Sequence, residues 1–122
     1  MKKLFFLTII LLLNSCSENP SNVIGESYCK FINAPRSAQY DIREEIKPIV
    51  LDALNQILQD EVGKSYCEIA DANEWKILTS VFYLPGTEDM NWDKIVGENP
   101  VCKIDEEAFG DFLGDVEELC KT

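Results

Sequence analysis

Five cysteines, at positions 16, 29, 67, 102 and 120, are the residues of this 122-residue chain whose chemistry is most constrained. No two of them form a C-x-x-C pair and the chain contains no histidine, so the common zinc sets and dithiol redox motifs lack their parts. The same absence removes a histidine general base and with it the Ser-His-Asp and Cys-His arrangements. Carboxylates remain, 22 of them. A glycosidase needs two such groups about 5 to 10 Å apart across a cleft, and in so acidic a chain the spacing nominates no pair. The doublets Glu44-Glu45, Glu106-Glu107 and Glu117-Glu118 read as solvated helix faces. Asp89, Asn91 and Asp93 fall at positions 1, 3 and 5 of an EF-hand loop, with Val96 at the apolar position 8. Lys94, however, stands where the loop needs its turn glycine, and Pro100 where it needs its bidentate Glu. The segment is therefore expected to be a turn-forming acidic loop, and no metal ligand, cofactor or catalytic residue is assigned. Trp92 and Tyr83, close to this loop, are the candidates for contacting a partner, because aromatic residues dominate binding hot spots.

Cys16 differs from the other four by its context. It closes MKKLFFLTIILLLNSC, in which Lys2 and Lys3 precede an apolar run from Leu4 to Leu13. A positive start followed by about ten apolar residues is a secretory signal, too short to span a bilayer core of about 30 Å as a helix. The tetrad Leu13-Asn14-Ser15-Cys16 resembles the lipobox of bacterial lipoproteins, although Asn14 departs from the small or aliphatic residue usual at its place. The resemblance implies cleavage after Ser15 and lipidation of Cys16 with fatty acids such as palmitate. Ser17, in place of the Asp that retains such proteins in the inner membrane, implies an outer-membrane anchor facing the periplasm.

With Cys16 given to the lipid, Cys29, Cys67, Cys102 and Cys120 are an even set in an oxidising compartment and are expected to form two disulfides. The elements that must position them follow from pattern. Residues 1–15 are the signal, and residues 16–27, polar and turn-rich, are expected to be the lipidated end and a tether. Residues 28–122 form a single domain. Between Ser37 and Val62, Ile42, Ile46, Ile49, Val50, Ala53, Leu54, Ile57 and Leu58 recur at helical steps, predicting an amphipathic helix kinked near Pro48 and ended by Gly63. Residues 71–84 are ambiguous. Asp71 and Glu74 have capping-box spacing, and a nearly all-round buried helix stopped by Pro85-Gly86 is expected, with a strand over 75–84 as the alternative. Residues 87–101 read as a long loop with at most one short helix. A last helix capped by Asp105 carries Phe109, Phe112, Leu113, Val116 and Cys120 on one stripe, and Gly110 and Gly114 beside it suggest another backbone nearby. The fold class is thus mainly α, a small bundle of about three helices stapled by two disulfides. If the last helix is straight, its rise separates Cys102 from Cys120 by more than about 20 Å, beyond disulfide reach. An up-down-up arrangement then favours Cys29–Cys102 and Cys67–Cys120.

Loss of Lys2 and Lys3 with the signal leaves nine of the 11 basic residues against all 22 acidic ones, a net charge of about −13. Such a surface repels phosphates, which argues against nucleic acid, and steers a basic protein partner from a distance. The expectation is a non-enzymatic protein-binding lipoprotein: an inhibitor or immunity-type protein against a basic envelope-targeting enzyme. A pilot or accessory subunit of an envelope secretion or assembly machine is the alternative, and a carboxylate-based enzyme comes third.

Overall fold

A computed structural model describes residues 19–121. The signal, the lipobox tetrad and Cys16 lie outside the described residues. Six α-helices and no strand occur among the described residues, with one isolated antiparallel bridge between Tyr83 and Met90. No described helix is long and apolar enough to cross a membrane.

The first helix, α1 (Pro20–Ile32), occupies most of the stretch read from sequence as a tether, and that expectation is corrected. The Asn19 side chain accepts the amide of Ser21 at 2.9 Å and Pro20 stands at the first helical position, so the local start signal is strong. Its inward face carries Ile24, Tyr28 and Cys29, all essentially inaccessible, but also Ser21 and Gly25, which contribute no hydrophobic signal. Composition hid the helix because two of its buried positions are small or polar for a packing reason. A Cβ on Gly25 would fall on the Val96 carbonyl oxygen, and the Ser21 hydroxyl donates to the Lys94 carbonyl.

A 3-10 turn (Arg36–Ala38) leads into α2 (Gln39–Val62), which runs unbroken across Pro48. Pro48 is exposed, so the Glu44 carbonyl that loses its amide partner lies on the solvent side. Ile46, Val50, Ala53, Leu54, Ile57 and Leu58 are buried, whereas Ile49, placed in the same stripe from sequence, is exposed. Gly63 ends the helix at φ 69°, donating to Leu58 and Gln59 carbonyls. Helices α1 and α2 are antiparallel: Lys30 pairs with Glu45 at 2.7 Å near one end, while Pro20 lies beside Ile57 and Asp60 at the other.

Beyond Gly63 come α3 (Tyr66–Asp71), α4 (Trp75–Phe82), α5 (Trp92–Val96) and α6 (Glu106–Glu117), followed by a 3-10 turn (Glu118–Lys121). The capping box is formed by Ser65 and Glu68, with reciprocal bonds of 3.1 and 3.0 Å, not by Asp71 and Glu74 as the spacing suggested. Asp71 instead closes α3, and Glu74 precedes α4 without a side-chain cap bond. The segment 75–82 is helical, but it is not buried all round: Trp75, Lys76, Thr79 and Ser80 are exposed. Asp105 caps α6, accepting the Ala108 amide at 2.9 Å. A Cβ at Gly110 or Gly114 would meet nothing within 4 Å, and the close backbone approach expected there is found instead at Gly25.

The core is one cluster centred on α1, α2 and α6. Tyr28 meets Phe109 edge-on at 4.9 Å and lies 5.3 Å from Phe112, contacts worth about 0.5–1.5 kcal/mol each beyond burial. Arg43 bridges α2 to α6 through Asp115 at 2.7 Å. Disulfides join Cys29 to Cys102 and Cys67 to Cys120, with Cα separations of 5.4 and 5.3 Å. The first ties α1 to the segment entering α6, and the second ties α3 to the C-terminal turn.

Candidate partner-binding groove

The elements after Gly63 surround an apolar groove of about 270 Å³. Leu54 of α2 and Ile95 of α5 are buried and form its floor. Tyr66 of α3 stands on one side, and α4 contributes Trp75, Leu78, Thr79 and Phe82. Tyr83, Met90 and the Leu113 side chain of α6 complete it.

Local chemistry holds these walls in place. The Asn55 side chain of α2 accepts the Tyr66 amide at 2.8 Å, fixing where α3 begins. Asn73 adopts φ 58°, a left-handed conformation that asparagine tolerates, and turns the chain between α3 and α4. Its side chain accepts the Trp75 indole N–H at 2.6 Å, so a tryptophan that is 38% exposed is nonetheless oriented. Tyr83 and Met90 are kept side by side by the bridge, with the Leu84 amide donating to Asp89 at 2.9 Å and the Asn91 amide to Phe82 at 2.7 Å.

Of the two aromatic residues nominated from sequence, Tyr83 lines the groove and Trp92 does not. Trp92 lies edge-on to the buried Phe109 at 5.7 Å, as part of the packing around the core. Tyr66, Trp75 and Leu113 went unnominated because their convergence depends on contacts distant in sequence. Trp75 alone carried a readable sign, a large apolar residue in a helix whose neighbours Lys76, Thr79 and Ser80 are polar. In the acidic loop, Asn91 caps α5 by accepting the Lys94 amide at 3.4 Å, and the Asp89 amide donates to the Thr87 hydroxyl at 3.2 Å. Among the described residues no group of three or more His, Cys, Asp or Glu is placed to hold a metal ion.

A larger cleft of about 780 Å³ lies on the far side of α5, between α1 and residues 97–101. Its walls include Asn22, Glu26, Glu98 and Asn99, all exposed, so covering it would displace water from well-hydrated groups for little gain. The groove, by contrast, offers apolar surface whose removal from water is worth about 25 cal/mol per Å².

Burial, with a smaller contribution from the Glu117 charge, pushes the Tyr66 phenol up to about 12. Burial also raises the Tyr28 phenol, helped by Asp105 and Asp111. Up to pH about 10 both folded and unfolded chains keep the Tyr66 proton and stability is unaffected. From there to about 12 the unfolded chain ionises first, so stability falls as pH rises. Denaturation curves recorded across this range should show a steeper loss for the wild type than for Tyr66→Phe, and equal slopes would refute the assignment.

Comparison with protein-family models, curated proteins and solved structures finds no match to the chain.

Proposed function

We propose that this chain is an outer-membrane lipoprotein, anchored through Cys16 and facing the periplasm, that binds and inhibits a basic envelope-targeting enzyme. The observation that carries the reading is the groove: an oriented, part-exposed Trp75 beside Tyr83 and Met90, in a chain of net charge −11. Tryptophan and tyrosine are the residues most able to hold a partner once covered, because they combine large apolar area with few rotatable bonds. The surrounding negative charge raises the encounter rate with a cationic protein and opposes acidic ones. Two disulfides and a helical frame keep the groove preformed, which limits the ordering cost of binding.

The intact protein, wild type and Trp75→Ala, would be used to capture proteins from envelope extract. The expected result is a basic protein retained by the wild type and lost by Trp75→Ala, with unchanged circular dichroism. A secreted hydrolase as the captured protein supports inhibition; a secretin or assembly subunit would transfer the role to a pilot. Capture unaffected by Trp75→Ala would reject the groove. Fatty-acid labelling should also disappear in Cys16→Ser, and its persistence would refute the anchor.

A further inference from the structure

We infer that the groove receives one arginine side chain of the partner, with its stem along the aromatic walls and its guanidinium against the carboxylate of Glu117. This rests on the reading of the groove as the docking site and adds what fills it. A volume of about 270 Å³ lies below the ~300–1,000 Å³ of drug-sized ligand sites and suits a single extended side chain. Four aromatic residues, Tyr66, Trp75, Phe82 and Tyr83, contribute to the lining, and aromatic surface attracts cations as well as apolar groups.

The second observation is Glu117. It lies outside the lining itself, one helical turn beyond Leu113 on the same face of α6, and close enough to Tyr66 for its charge to act on that phenol. It is half-buried and has no ion pair or side-chain hydrogen bond among the described residues. Lysines on adjoining segments are engaged elsewhere, Lys64 with Glu74 at 2.8 Å and Lys121 with Glu118 at 3.4 Å. A purely apolar occupant would leave this negative charge beside the groove without a counter-charge. A cation entering the groove supplies one. Guanidinium suits the place better than ammonium because it is more weakly hydrated, stacks on aromatic rings and meets a carboxylate with two parallel bonds.

The test uses three capped pentapeptides, identical glycine frames with arginine, citrulline or leucine at the centre, titrated into the intact detergent-solubilised protein. Binding is followed by the NMR shift of the Trp75 indole N–H. Arginine should bind at least ~10-fold more tightly than citrulline, its neutral isostere, and Glu117→Gln should reduce that preference to within about twofold. Equal binding of citrulline, tighter binding of leucine, or a preference unchanged in Glu117→Gln would overturn the arginine assignment while leaving the groove as a docking site. Absence of any shift with all three peptides would also overturn it; whether the groove holds the partner is then decided separately by loss of capture in Trp75→Ala.

Discussion

Replacing Cys29 and Cys102 together by alanine is expected to lower the unfolding free energy by about 4 kcal/mol. The bond spans 73 residues of sequence, so its removal releases a long loop in the unfolded chain. A domain of this size has a total stability of about 5–15 kcal/mol, so the loss is a large share of it. The folded side points the same way: Cys29 is fully buried in α1, and the bond is the covalent link between that helix and the entry to α6. Urea denaturation of wild type and double variant measures the difference, and a loss below about 1 kcal/mol would show that α1 is held by packing alone. Removing the bond between Cys67 and Cys120 releases a span of 53 residues and should have a similar effect. That change also frees α3 from the C-terminal turn and so loosens the groove between Tyr66 and Leu113.

Gly25→Ala should destabilise by about 3 kcal/mol, at the upper end of overpacking effects, because the new Cβ meets a backbone oxygen and not a movable side chain. Relief requires α1 and α5 to separate, which would also disturb the bond from the Ser21 hydroxyl to the Lys94 carbonyl. Gly110→Ala is the contrasting case. It lies in an exposed part of α6 with open space around it, and should stabilise by up to about 1 kcal/mol through helix propensity. Thermal or urea unfolding of both variants gives the two signs directly; equal effects would contradict the close contact between α1 and α5.

These two glycines show what the sequence could and could not convey. Where burial follows a local period, the pattern was legible: Val50, Leu54 and Leu58 mark the inner face of α2, and Phe109, Phe112 and Val116 that of α6. Start and stop chemistry was legible for the same reason, since Asp105 and Gly63 act within one turn of their own positions. Helix polarity sufficed to favour the observed disulfide pairing, because each bond joins chain ends brought level by antiparallel helices. Helix α1 was missed because its buried face includes Ser21 and Gly25, whose value depends on a backbone more than 70 residues away. The six-residue α3 is too short to show a period, and its Ser65-Glu68 box went unread beside the same spacing at Asp71 and Glu74. The groove was legible in part. Tyr83 stood out by type, while Tyr66 and Leu113 are brought to Trp75 by the bond from Asn55 and the packing of α6, which no local pattern encodes; Asn73 acts only locally, orienting Trp75 from two residues away.

The proposed steering of a basic partner by negative charge, and its retention by Trp75 in the groove, can both be read from the kinetics of that complex. Association and dissociation rates would be measured for wild type and Trp75→Ala at about 50 and 500 mM salt, where the Debye length falls well below 10 Å. Association should slow by at least ~10-fold with salt while dissociation changes little, and Trp75→Ala should dissociate at least ~10-fold faster with its association rate preserved. An association rate indifferent to salt, together with wild-type dissociation of Trp75→Ala, would show that neither the charge nor the groove holds the partner.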